Sequence, residues 1–200
     1  IDRSLVGSEM CIRDSLVAPV SLRSGMEALI RREIDHAKAG RGGHIIAKMN
    51  SLVDPRIIAL LYEASQAGVQ IELIIRGICS LKPGLPGQSE TVRVVSIIGR
   101  FLEHSRVFWF GNAGQAEVFL GSADWMGRNL DRRVEAVTPI EDPVLRSQLE
   151  VLMQTYLDDN RGAWDMTSEG QFTQRQPQEQ ERNSQLQLMD EWRSVQGQGQ

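Results

Sequence analysis

The feature that most constrains this chain is a strand, helix, strand unit between His44 and Arg76. HIIAKM (His44 to Met49) reads as a short strand. Asp54 and Pro55 supply an N-cap and a first-turn proline for a helix running to Ala67, and Gly68 stops it. VQIELIIR (Val69 to Arg76) then follows as a β-branched run with few polar interruptions, the mark of a strand covered on both faces. This is a βαβ unit, and it commits the chain to an α/β sheet flanked by helices. Before it, Met26, Leu29, Ile30, Ile34 and Ala37 share one face at helical spacing, and Gly40, Gly42 and Gly43 end that helix. After it come a Pro/Gly loop from Lys82 to Gly87 and strands near Val92 to Ile97, Arg106 to Phe110, Glu117 to Leu120 and Val134 to Thr138. A helix from Asp142 to about Asp158 closes the pattern.

Chemistry concentrates between Gly99 and Glu135. RVFWF and EVFLGSAD read as two strands joined by the Gly111-Asn112-Ala113-Gly114 turn. His104 stands at the entrance of the first strand and Ser122 to Asp124 at the exit of the second. Those ends are neighbours in an antiparallel pair, so His104, Arg106, Ser122 and Asp124 are expected to converge on a pocket suited to a phosphoryl group. Arg76 sits at the end of the buried-type strand, just before Gly77, where open α/β sheets place ligand-binding groups. Its planar fork suits phosphate oxygens. A strand-start histidine by itself more often serves a neighbouring carboxylate or carbonyl; His44, at a strand start without companions, and His36, on a helix that is otherwise structural, keep structural readings. Lys48 and Asn50, at the end of the inner strand, stand behind Arg76 and His104 as candidates. Arg128, Arg132 and Arg133 form a second cationic group beside Asp131 and Glu135, with some of them expected in ion pairs. Trp125 and Met126 are read as core.

A histidine, one residue, a cation, then a strand and Gly-Ser-x-Asn/Asp is the layout of the phospholipase D superfamily. Here it runs His104-Ser105-Arg106 and Gly121-Ser122-Ala123-Asp124, with Arg106 in place of the usual lysine and Asp124 in place of the usual asparagine. AKMNSLVDPRIIALLYEASQAGVQIELIIRGICSLKPGLPGQSETVRVVSIIGRFLEHSRVF, followed by GSADWMGRNLDRRVE, closely resembles the last domain of the phosphohistidine type of polyphosphate kinase, from about Leu16 to about Asp158. The resemblance implies a single phospholipase D-like half belonging to a longer enzyme that reversibly moves the γ-phosphate of ATP to polyphosphate. By position in its motifs, His104 corresponds to the second, assisting histidine, acting as general acid or as a hydrogen-bond donor to phosphate. Arg76 and Arg133 correspond to contacts with nucleotide or phosphate. The nucleophilic histidine, the Mg²⁺ ligands and the adenine-stacking tyrosine are expected in the missing N-terminal half. Partners implied are ATP or ADP, inorganic polyphosphate, that missing half and further copies of the complete enzyme. Two other readings stay open: a non-catalytic phosphate or polyphosphate-binding module, and a phosphodiesterase of the phospholipase D type.

Charge and the chain ends complete the reading. A net charge of -4 and a pI near 5.5 exclude a generally basic nucleic-acid coat, while cations clustered between Arg93 and Arg133 favour a local anion site. Cys11 and Cys79 form no disulfide framework or metal spacing and suit a reducing cytoplasm, with attachment at the membrane face left open. Residues 1–15 resemble translated sequencing adapter and are set aside, giving a domain over 16–160. Residues 161–200 are expected to be a polar tail, disordered or loosely helical, because ten glutamines fall between 171 and 200 with almost no apolar periodicity.

Overall fold

The computed structural model describes residues 15–177 and 180–197, with side chains to residue 194. The adapter-like stretch, apart from Ser15, lies outside the described residues. The described chain forms β1 (Leu16–Ala18), α1 (Leu22–Lys38), β2 (His44–Met49), α2 (Pro55–Gln66), β3 (Gln70–Ile75), β4 (Val92–Ile97), β5 (Arg106–Phe110) and β6 (Glu117–Gly121). It continues with the short α3 (Gly127–Asp131), then β7 (Glu135–Pro139), α4 (Pro143–Leu157), β8 (Ala163–Met166), β9 (Phe172–Gln174) and α5 (Ser184–Gly197). One mixed sheet holds the strands in the order β1-β7-β6-β5-β2-β3-β4-β8-β9.

The expected βαβ unit is present. The Asp54 side chain accepts from the N–H groups of Arg56 and Ile57 and caps α2, with Pro55 in its first turn. β2 and β3 pair in parallel with His44 opposite Gln70, and β4 adds to β3 in parallel. The other half turns antiparallel: β5 runs against β2, with Lys48 opposite Val107, and β6 against β5, with Arg106 opposite Gly121. The pleat then sorts side chains between two cores. Ile45, Ala47, Met49, Phe108 and Phe110 join Met26, Ile30, Leu60 and Leu61 on the face covered by α1 and α2. Ile46, Val95, Val107 and Val118 join Met153, Tyr156 and Leu157 on the face covered by α4. Trp125 belongs to the first core, fully buried and stacked on Phe108 with ring centroids 5.3 Å apart.

The C-terminal region differs from the expectation of a tail. β8 pairs antiparallel with β4, placing Ala163 opposite Ile97, and β9 pairs with β8. The physical reason is a buried polar staple. Asp159, 1% exposed, accepts from the N–H groups of Arg161, Gly162 and Ala163 through Oδ1 and from the Ser184 N–H and hydroxyl through Oδ2. Arg175 then pairs with Asp165 through two donors at 2.6 and 2.7 Å and caps the Leu157 and Asp159 carbonyls. No described helix is long and apolar enough to cross a membrane.

Candidate phosphate-binding site

The candidate site forms where four chain segments leave or enter the middle of the sheet at one end of its strands: the residues after β2 and β3, the entrance of β5 and the exit of β6. Backbone bonds lock these segments together. The Leu52 N–H donates to the Ile78 carbonyl at 2.9 Å, and those of Val53 and Asp54 donate to the Trp125 carbonyl at 3.0 Å each. Gly77 donates to the Asn50 carbonyl at 2.8 Å, and a Cβ on Gly77 would stand 2.7 Å from that oxygen, so only glycine permits this approach.

On this frame a continuous polar chain links the functional side chains. Arg76 Nε donates to Asn50 Oδ1 at 2.6 Å. Asn50 in turn donates its backbone N–H and Nδ2 to Asp124 Oδ1 at 2.7 and 3.0 Å. Arg106 donates Nε and Nη2 to the two Asp124 oxygens at 3.2 Å each. Its Nη1 reaches His104 Nδ1 at 3.0 Å and the His104 carbonyl at 3.1 Å. A guanidinium only donates, so Nδ1 of His104 accepts and the neutral ring carries its proton on Nε2. The exposed His104 therefore offers a donor through Nε2, with cations close behind it.

Charges within the cluster are strongly coupled. Burial pushes the Asp124 carboxyl upward, but the Arg106 guanidinium and the Asn50 donors outweigh it and hold the group below the usual carboxylate range. Lys48, 1% exposed, lies below the ordinary lysine range because burial disfavours its charge; Glu103 opposes this, while Arg76 and Arg106 add to it. Its Nζ stands 3.2 Å from Glu103 Oε2, 2.8 Å from Ser105 Oγ and 5.0 Å from the centre of the Tyr156 ring.

His104, Arg106, Asp124 and Arg76 are thus brought together, and Asn50 is the link between them. Ser122 is not part of the cluster. Its hydroxyl bonds to Glu135 at the start of the neighbouring β7, and its oxygen accepts from the Ala136 N–H at 3.3 Å, because β6 still lies beside β7 at this point. Asp124, past the strand end, is free to turn inward. Arg133 is exposed at the exit from α3, and among the described residues its guanidinium makes no hydrogen bond or ion pair. The expected ion pairs of Arg128, Arg132 and Arg133 do not form, since Asp131 is taken by Arg23 and Glu135 by Ser122 and Asn129. His36 and His44 serve structure, meeting Asn112 and Glu72 at 3.1 Å each. Glu103, the carboxylate next to His104 in sequence, is held instead by Lys48 and Gln185; Tyr156 and Gln185 are neighbours of the site that no motif signals.

The fit to a metal ion is poor in this chain. Among the described residues no group of three or more His, Cys, Asp or Glu side chains is placed to hold one, and both Asp124 oxygens are already occupied by donors.

The family profile "Polyphosphate kinase C-terminal domain 2" matches residues 15–186. The polyphosphate kinase of Parasynechococcus marenigrum is 69% identical over 186 residues, covering 92% of this chain and 26% of that protein. The polyphosphate kinase of Streptomyces coelicolor is 51% identical over 161 residues, covering 80% and 22%. The crystal structure of polyphosphate kinase from Porphyromonas gingivalis superposes with a TM-score of 0.86 at 39% identity, covering 92% of this chain and 28% of that one. Nuc of Salmonella typhimurium, a phospholipase D family member, superposes with a TM-score of 0.53 at 17% identity and shares the fold. The chain spans about a quarter of the length of the curated relatives it matches. With the profile matching most of its length and a histidine-centred site built on a phospholipase D-like sheet, the chain belongs to the polyphosphate kinase family as a C-terminal domain of that enzyme.

Proposed function

We propose that this chain is the assisting half of an ATP:polyphosphate phosphotransferase, cytoplasmic and either free or attached at the membrane face. The observation that carries the reading is the Arg76, Asn50, Asp124, Arg106, His104 chain, which presents an Nε2 donor beside two guanidinium groups at one end of the sheet's strands. In the complete enzyme a histidine of the missing half attacks the γ-phosphorus of ATP, a nitrogen–phosphorus bond forms, and the bond to the bridging oxygen breaks with its electron pair leaving on ADP. The phosphoryl group then passes to the terminal oxygen of polyphosphate, and the reverse sequence makes ATP. His104 is assigned to donate a hydrogen bond to a phosphate oxygen. Full proton transfer from Nε2 would leave an imidazolate, since Arg106 occupies Nδ1, so between the two roles the donor role fits better than general acid. Arg76 is assigned to the phosphate chain of nucleotide or polymer, and Arg133 to phosphate. Mg²⁺ accompanies the nucleotide, with its ligands assigned to the missing half. The complete enzyme is proposed to assemble from several copies.

Taken alone, the chain is proposed to bind phosphate without transferring it, because the site holds one histidine. Incubation of the chain with labelled ATP and Mg²⁺ should produce no acid-labile phosphohistidine. In the complete enzyme His104→Ala should slow ATP formation from ADP and polyphosphate by about a hundredfold or more. Phosphopeptide mapping that placed a phosphoryl group on His104 would make it the nucleophile and overturn the assignment.

A further inference from the structure

Residues 98–105, between β4 and β5, have no regular secondary structure, yet they set where His104 stands. The segment is held from outside by buried side chains. Gln185, in the first turn of α5 and 6% exposed, accepts from the Phe101 N–H through Oε1 at 2.9 Å. Its Nε2 donates to the Phe101 carbonyl at 2.8 Å and to Glu103 Oε1 at 2.8 Å. One amide thus brackets both backbone groups of Phe101 as a neighbouring strand would. The second Glu103 oxygen meets Lys48, which also grips the Ser105 hydroxyl. Both residues flanking His104 are therefore fastened while His104 itself is exposed. The helix that carries Gln185 is anchored just before it, through the buried pair of Ser184 and Asp159. Gly99 completes the fit: a methyl group there would collide with Gln185 Oε1, so the bracket depends on glycine at this position.

We propose that Gln185 is a positioning residue for His104, acting through Phe101 and Glu103, so that the C-terminal helix holds the imidazole with Nδ1 on Arg106 and Nε2 turned to the phosphate side. The catalytic consequence rests on the role proposed for His104; the placement of the ring does not. Only an amide satisfies the bracket. A carboxylate at 185 cannot donate to the Phe101 carbonyl and would face the Glu103 carboxylate.

The test uses the chain with ¹⁵N-labelled histidine at about pH 8.5, where an ordinary imidazole is neutral. In the parent chain the His104 nitrogens should show a single tautomer, protonated at Nε2. Gln185→Glu and, independently, Gly99→Ala should bring the two His104 nitrogen shifts toward a common averaged value, while His36 and His44 keep theirs and report an intact fold. In the complete enzyme the same variants should lower kcat by about ten- to a hundredfold with KM within about twofold. Unmoved His104 nitrogens in both folded variants would overturn the proposal. So would all three histidines shifting together, which would make Gln185 a residue of the fold at large. Averaged His104 nitrogens with an unchanged kcat would uphold the bracket and sink the function proposed for His104 instead.

Discussion

Asp124→Asn is the sharpest probe of the site. The carboxylate receives four donors: the Asn50 N–H at 2.7 Å, Asn50 Nδ2 at 3.0 Å, and Arg106 Nε and Nη2 at 3.2 Å each. Asparagine can keep its oxygen toward the three donors on Oδ1, but its NH₂ then faces Arg106 Nη2, donor against donor. Breaking a fully buried ion pair costs about 3–5 kcal/mol, and losing a neutral hydrogen bond about 1 kcal/mol. The Arg106 side chain keeps 15% exposure and can find water, so the expected cost lies between, at about 2–4 kcal/mol. At roughly 2–4 °C per kcal/mol for a chain of this size, the melting temperature should fall by roughly 4–16 °C at pH 7. The pH dependence follows from the direction of the Asp124 shift. Its folded pKa is depressed, so its contribution is present above the unfolded value near 3.9 and is lost as pH falls through the lower folded value. The gap between parent and variant should therefore narrow on acidification below about pH 4. Differential scanning calorimetry between pH 7 and 3 measures both quantities. A gap below about 1 kcal/mol at pH 7, or one that stays constant down to pH 3, would refute the carboxylate as the hub of the cluster.

Three other outcomes are expected. Arg76→Lys in the complete enzyme should weaken use of nucleotide or polyphosphate by about 1.5–3 kcal/mol, read as kcat/KM, without loss of folded protein, because lysine keeps the charge and loses the fork. Truncation after Asn160 should lower the melting temperature by more than about 10 °C in a thermal scan, since it strips β8 from β4 and removes the partners of Asp159; an unchanged value would show that the C-terminal strands add nothing. Cys79, whose thiol burial pushes up to about 11, should be alkylated by iodoacetamide at pH 8 about a hundredfold more slowly than an ordinary cysteine in a Cys11→Ser background.

What the sequence revealed was decided by how local its causes are. The β2-α2-β3 unit was legible because its strand runs, its Asp54-Pro55 start and its Gly68 stop all lie within a few residues of the structure they determine. The pairing of β5 with β6 was legible for the same reason, since a connection of six residues leaves the register little freedom. His104, Arg106 and Asp124 followed from it, because the entrance of one strand and the exit of its antiparallel neighbour lie side by side; Arg76 followed separately from its place at the end of β3. Ser122 was misplaced because the choice between facing Asp124 and facing Glu135 depends on β7, which arrives later in the chain. Asn50 was undervalued for a related reason: its importance lies in joining Arg76 to Asp124, and neither neighbour is near it in sequence.

The C-terminal region was illegible for a different physical reason. AWDM is too short for alternation to register, and its stability as a strand comes from partners far outside it. Asp165, otherwise a poor strand residue, is tolerated because Arg93 and Arg175 both reach it. Glutamines dominate the composition that follows, and composition averages over the one that matters. Gln185 differs from its neighbours only in being buried against Phe101 and Glu103, a property that belongs to the folded contact and not to the residue type. A polar, low-complexity stretch thus supplies the side chain that fixes the loop bearing His104. Reading such a stretch as a tail removes from consideration the side chain that brackets Phe101 and bonds Glu103 beside His104.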